Sequence, residues 1–169
     1  MSTGKLAWAK LSHHEKYKLL QQNRVNYCQQ VEARRKDVEK ELEIDGKLIL
    51  DIPSFYLALG ESINGVNGYF GTCTMSLRDC LDGGFGIKPP VKITIVHSEN
   101  LEKNLNYKSF IKYWLEGNLY ALESYPSASL EQLKDWGILS GREEDEEEFS
   151  YLEELKRVIY RSGSKLLLK

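Results

Sequence analysis

Between Leu11 and Glu41 the chain contains no proline or glycine, and Tyr17, Leu20, Cys28, Val31, Val38 and Leu42 recur close to a helical repeat. That spacing predicts one long N-terminal helix. Its apolar stripe is thin and interrupted by Gln21, Arg24 and Arg35, which suits packing along a body or pairing with a partner better than burial in a core. Two short extended runs, Glu41 to Ile44 and Lys47 to Asp51, flank a turn at Ile44 to Gly46. A second helix is then expected, with Asp51 as its cap, Pro53 in the first turn, an inward face of Phe55, Ala58, Leu59 and Ile63, and a stop at Asn64, Gly65, Asn67 and Gly68. Further on, Val91, Ile93, Ile95 and Val96 are β-branched and Leu166 to Leu168 form a continuous apolar run, both of which suit strands covered by helices. Between them Tyr107, Phe110, Ile111, Trp114, Leu115 and Leu122 keep helical spacing, and Ser129 to Leu139 opens with a capping box and sets Leu130, Leu133 and Trp136 on one side. The pattern is strand, helix, helix, strand, helix, strand, which predicts an α/β fold with a small parallel three-stranded sheet flanked by helices.

The segment Tyr69 to Gly84, YFGTCTMSLRDCLDGG, is the richest in local signals. Gly71 permits a tight turn, Thr72 or Thr74 can cap a helix start, and Gly83 and Gly84 stop the helix through left-handed backbone. Leu77, Cys80 and Leu81 share one face; Met75, Asp79 and Asp82 follow one another on another. The spacing therefore presents a carboxylate on a short helix beside Tyr69 and Phe70. An ordinary amphipathic helix with an acidic outer face fits the same residues.

This aromatic-aromatic-Gly loop feeding a helix that ends Asp, Cys, Leu and then Gly resembles the core motif of the barstar family, small intracellular inhibitors of secreted ribonucleases. Glu41 to Gly68 is similar to the family's first strand and helix, Val91 to Ser98 to its second strand, and Glu147 to Lys169 to its last helix, glycine turn and third strand. The resemblance implies a barstar-like domain over residues 41–169, preceded by a helical extension over 1–40 and carrying a helical insertion at about 99–146. It implies that Asp79 is the central acidic contact, with Tyr69, Phe70, Met75, Arg78 and Asp82 around it in the partner-binding site. The expected partner is a ribonuclease-type toxin whose cationic phosphate-holding groups a carboxylate occupies. Two positions depart from the family pattern: Met75 stands where an acidic residue is usual one turn before Asp79, and Arg78 where an aromatic usually precedes the Asp. These departures point to a different toxin from the one met by the family's best-known member.

Composition adds limits. The chain has 169 residues, is 41% hydrophobic and 28% charged, and so has enough apolar material for a full core. Without a signal-like apolar segment or a run of about 18 apolar residues, a cytoplasmic location and no membrane partner are expected. Cys28, Cys73 and Cys80 are odd in number and lack metal-site spacing, so no disulfide framework and no metal are expected. Positive charge is in excess in residues 1–43, where nine Lys and Arg stand against six Asp and Glu, and negative charge dominates the remainder. The acidic run at Glu143, Glu144, Asp145, Glu146, Glu147 and Glu148 repels nucleic acid and suits either a basic protein partner or a solvated helix start. No nucleic-acid partner is expected. Phosphate-binding, dinucleotide and zinc-protease motifs are absent, and His13, His14 and His97 lie in no cysteine-enzyme signature. The expectation is thus a binding protein without cofactor or catalytic residues. The alternative is a non-inhibitory interaction module that assembles through the N-terminal helix and the aromatic insertion, to which Tyr107, Tyr113, Tyr120 and Tyr125 contribute.

Overall fold

The computed structural model describes residues 6–30, 37–125, 131–132 and 150–169. Three strands, β1 (Glu41–Asp45), β2 (Lys92–Val96) and β3 (Lys165–Leu168), form one sheet in the order β1-β2-β3, parallel throughout. Parallel neighbours require a crossover, and helices supply it. Between β1 and β2 lie α2 (Ile52–Asn64) and α3 (Thr74–Leu81); before β1 lies α1 (His13–Gln29); between β2 and β3 the described helices are α4 (Leu101–Asn104), α5 (Tyr107–Ser124) and α6 (Tyr151–Arg161). The expected small α/β fold with a three-stranded parallel sheet is present.

Helix α2 is the centre of the core. Asp51 caps it by accepting from the Ser54 amide at 2.9 Å, Pro53 sits in its first turn, and Gly65 ends it. The sequence placed one inward face on this helix, but residues from Ile52 to Glu61 are buried all the way round. The reason is enclosure: α2 packs on β1 and is covered by α1 and α5. Its hydroxyl at Tyr56 meets that of Tyr151 on α6 at 2.8 Å. Glu61, also buried, accepts from the Leu6 amide at 2.9 Å and from the Trp8 indole at 2.5 Å, which anchors the chain ahead of α1 to α2.

Three local expectations are corrected. The N-terminal helix does not run from Leu11 to Glu41 as one piece; α1 ends at Gln29, and Leu42 points into the core from β1. Helix propensity is overridden by tertiary pairing, because Val38 bridges Ile87 and Asp37 binds the loop after α3. Nor is α1 only a surface helix: Tyr17 and Leu20 belong to the same core as α2, whereas Cys28, from the same stripe, is exposed. Lys47 to Asp51 is not a strand. Gly46 to Leu48 form a 3-10 turn, and a Cβ on Gly46 would lie 2.6 Å from the His97 carbonyl oxygen, so the chain leaves the sheet there against the end of β2.

The helical spacing from Tyr107 is borne out by α5. Tyr113 is buried and its hydroxyl donates to the Thr72 carbonyl, while Tyr120 packs on Tyr17 at a centroid distance of 5.7 Å. The expected helix over Ser129–Leu139, the acidic run from Glu143 to Glu148 and the basic residues Arg34, Arg35 and Lys36 lie outside the described residues, apart from Glu131 and Gln132.

Candidate functional site

The helix α3 is eight residues long, too short to hold its shape alone, and its neighbours fix it at both ends. At its start Gly71 has φ 91, and a Cβ there would lie 3.0 Å from the Leu77 backbone, so only a glycine lets the loop lie against the helix. The cap is neither Thr72 nor Thr74, as the sequence suggested; Cys73 holds the N-cap position. Ser76 performs the capping from inside the helix. Its hydroxyl accepts from the Thr72 amide at 2.8 Å and the Cys73 amide at 2.9 Å, and donates to the Cys73 carbonyl at 3.1 Å.

At the far end Gly83 and Gly84 have φ 105 and 85, the left-handed stop expected from sequence. The amides of Gly84 and Gly86 donate to the Asp37 carboxylate at 2.6 and 2.9 Å. Asn64, from the last turn of α2, donates to the carbonyls of Tyr69 and Phe85, each at 2.8 Å, and so ties the loop before α3 to the loop after it. Tyr27 of α1 stacks on Phe85 at 5.6 Å and tilts against Tyr69 at the same distance. Buried Leu77, Cys80 and Leu81 fasten the inner face.

The six residues expected at a partner site divide into two groups. Tyr69 and Phe70 are 5% and 0% exposed and support the helix from beneath; they offer no surface. Met75, Arg78, Asp79 and Asp82 are exposed together on the outer face, Met75 at 70%. Neither carboxylate nor the guanidinium of this face has an ion pair within 4 Å among the described residues. The result is a rigidly held surface with a thioether, two carboxylates and one guanidinium in full contact with solvent. Asp37, Asn64, Ser76 and Tyr113 hold it in place; the sequence marked Asn64 only as a helix stop and Tyr113 only as an aromatic of the insertion, and gave none of the four this role. Only Ser76, three residues beyond the cap, carries a local signal.

Nucleophilic chemistry finds little support in the geometry. Burial pushes the Cys80 thiol up to about 12, so it is fully protonated near neutrality. His97 pairs with Asp45 at 3.0 Å across the ends of β2 and β1, His13 with Asp51 at 3.1 Å and His14 with Glu116 at 2.8 Å; no hydrogen bond joins a histidine to a cysteine among the described residues. Among those residues no group of three His, Cys, Asp or Glu side chains is placed to hold a metal, and no helix is long and apolar enough to cross a membrane.

Fold and site together define a small α/β protein with a three-stranded parallel sheet that displays a short helix, with Asp79 exposed on it, held at both ends. Comparison with protein-family models, with curated proteins and with solved structures finds no match to this chain.

Proposed function

We propose that this chain is a barstar-like inhibitor, an immunity protein that blocks the active site of a basic ribonuclease-type toxin in the cytoplasm. The observation that carries the reading is the exposed carboxylate of Asp79, without an ion pair among the described residues, on a helix held at both ends. A ribonuclease holds the scissile phosphate with cationic side chains, and a fixed carboxylate satisfies those cations without being cleaved. Rigidity matters because an ordered binding surface loses little entropy on association. The protein acts by occupancy, with no catalytic step or cofactor of its own. Met75 and Arg78 supply an apolar and a basic contact beside Asp79 and adapt the surface to one toxin over others.

Co-expression with the toxin encoded in the neighbouring reading frame tests the proposal. The expected result is rescue of growth together with a stable complex and loss of RNA cleavage in vitro. Failure to rescue, with no binding to that toxin or to any ribonuclease, overturns it.

The second reading, a non-inhibitory assembly module, draws on half-exposed Leu115 and Leu119, one turn apart on α5. The N-terminal helix contributes less to it, since Tyr17 and Leu20 face the protein's own core. Light scattering separates the two: concentration-dependent oligomers abolished by Leu115→Ser and Leu119→Ser favour assembly, and a monomer that binds toxin favours inhibition.

A further inference from the structure

Away from the exposed face of α3, the amino-terminal ends of the strands open into a groove of about 630 Å³. Volumes of this size suit a small ligand. Four lysines line it, Lys40, Lys88, Lys92 and Lys165, against two carboxylates, Glu39 and Glu41; Pro89, Pro90 and Val91 form an apolar wall. Both carboxylates are already engaged: Glu41 pairs with Lys92 at 3.1 Å and Glu39 with Lys88 at 3.6 Å. Lys40 donates to the Ser62 carbonyl near the end of α2, a neutral acceptor. Lys165 has no carboxylate within 4 Å among the described residues. Among the described residues four ammonium groups therefore face two carboxylates, an excess of two positive charges in one concavity.

The sheet register sets two of these lysines side by side in the free protein. Glu41, Lys92 and Lys165 are direct cross-strand partners in successive parallel pairs, so Lys92 and Lys165 emerge side by side on adjacent strands. Strands lie about 4.8 Å apart, and like charges directly opposite one another destabilise a sheet. A ligand with several anionic oxygens removes the penalty by bridging the two ammonium groups.

We infer that this groove binds a small polyphosphorylated ligand, with at least two adjacent phosphoryl groups spanning Lys92 and Lys165. Lysine ammonium groups act as point charges for phosphate, and two linked phosphoryl groups offer oxygens to lysines on both strands at once, which a single carboxylate does not. The site is separate from Asp79, so Asp79→Ala leaves it intact.

Calorimetric titration of the full chain with sodium pyrophosphate, with orthophosphate and with sodium chloride at matched ionic strength tests the assignment. Pyrophosphate is expected to bind saturably at one site, at least about tenfold tighter than orthophosphate. Lys165→Gln is expected to weaken pyrophosphate about tenfold while leaving the melting temperature of the free protein equal or higher, because a like-charge neighbour is removed. Lys103→Gln on α4, outside the groove, is expected to change neither reading. Pyrophosphate that binds no tighter than orthophosphate overturns the inference, as does a folded Lys165→Gln protein that keeps the parent's affinity.

Discussion

Asp79 contributes charge to the surface and almost nothing to the fold, since it projects from α3 without an ion pair among the described residues. Asp79→Ala is therefore expected to melt like the parent and to bind the proposed toxin partner more weakly by at least about 2 kcal/mol, the scale of a desolvated charge-assisted contact. Asp82→Ala, at the end of the helix, should cost less. A melting curve and a binding isotherm for each variant check both statements, and an Asp79→Ala protein with parental affinity would end the phosphate-mimic reading. Beneath the surface the residues behave oppositely. Gly86 has φ 102, and a Cβ there would come within 2.2 Å of the Asn64 carboxamide oxygen, which is itself buried without a partner among the described residues. Gly86→Ala combines backbone strain with loss of the Asn64 tie, and an expected loss of about 2–4 kcal/mol in denaturant unfolding should accompany weaker binding of the proposed toxin. The thiols separate in the same way: exposed Cys28 should react quickly with a disulfide reagent at pH 8, whereas Cys80, buried and raised to about 12, should react only on unfolding.

At the scale of the elements, α1 is a structural helix with one buried side and one solvated side. Ser12 caps it with a reciprocal Glu15 contact, and Leu20 is fully buried in the core. Leu20→Ala should destabilise by about 2–4 kcal/mol, because a buried leucine loses both its transfer free energy and its packing partners. Val25→Ala, on the exposed side, should stay within about 0.5 kcal/mol. Equal melting temperatures for the two variants would show that α1 is dispensable to the core. The contrast with the interrupted stripe read from sequence has a simple cause: in a 17-residue helix lying across α2, Tyr17 and Leu20 suffice as anchors, and buried Lys16 and Asn23 share that side.

The whole molecule is tied together at Asp51, where α1 meets the start of α2. Burial works to raise this carboxyl, but hydrogen bonds from His13 and Ser54 and the nearby Lys16 ammonium outweigh it and hold the group well below the usual carboxylate range. A carboxylate depressed in the folded state stabilises at pH above its unfolded value of about 3.9 and loses that contribution as pH falls through the folded value. Unfolding free energies of the parent and Asp51→Asn should accordingly differ most at pH 6 to 7 and converge as pH drops below about 4. A difference that stays constant over this range would assign the Asp51 effect to shape rather than charge. On the proposed function charge steers the encounter, so added salt should slow association with the proposed basic toxin more than it speeds dissociation, which stopped-flow measurements resolve.

Local chemistry was written in the sequence wherever cause and effect lie a few residues apart. Asp51 and Pro53 announced α2, the β-branched run announced β2, the apolar run after the last glycine announced β3, and Gly83 with Gly84 announced the end of α3. The spacing of Leu77, Cys80 and Leu81 likewise separated the buried from the exposed face of that helix, and with it the surface carrying Met75, Arg78, Asp79 and Asp82. Only the tertiary structure decided what depends on distant partners. Asp37 reaches Gly84 and Gly86 across 47 and 49 residues, Tyr113 reaches Thr72 across 41, and no periodicity encodes such pairings. The same long-range pairing ended α1 short of Glu41, drew Tyr69 and Phe70 inward, and set Lys92 beside Lys165. Helix and turn signals act through backbone geometry within a turn or two, whereas enclosure, register and the mounting of a short helix are properties of surfaces that exist only once the chain has closed on itself.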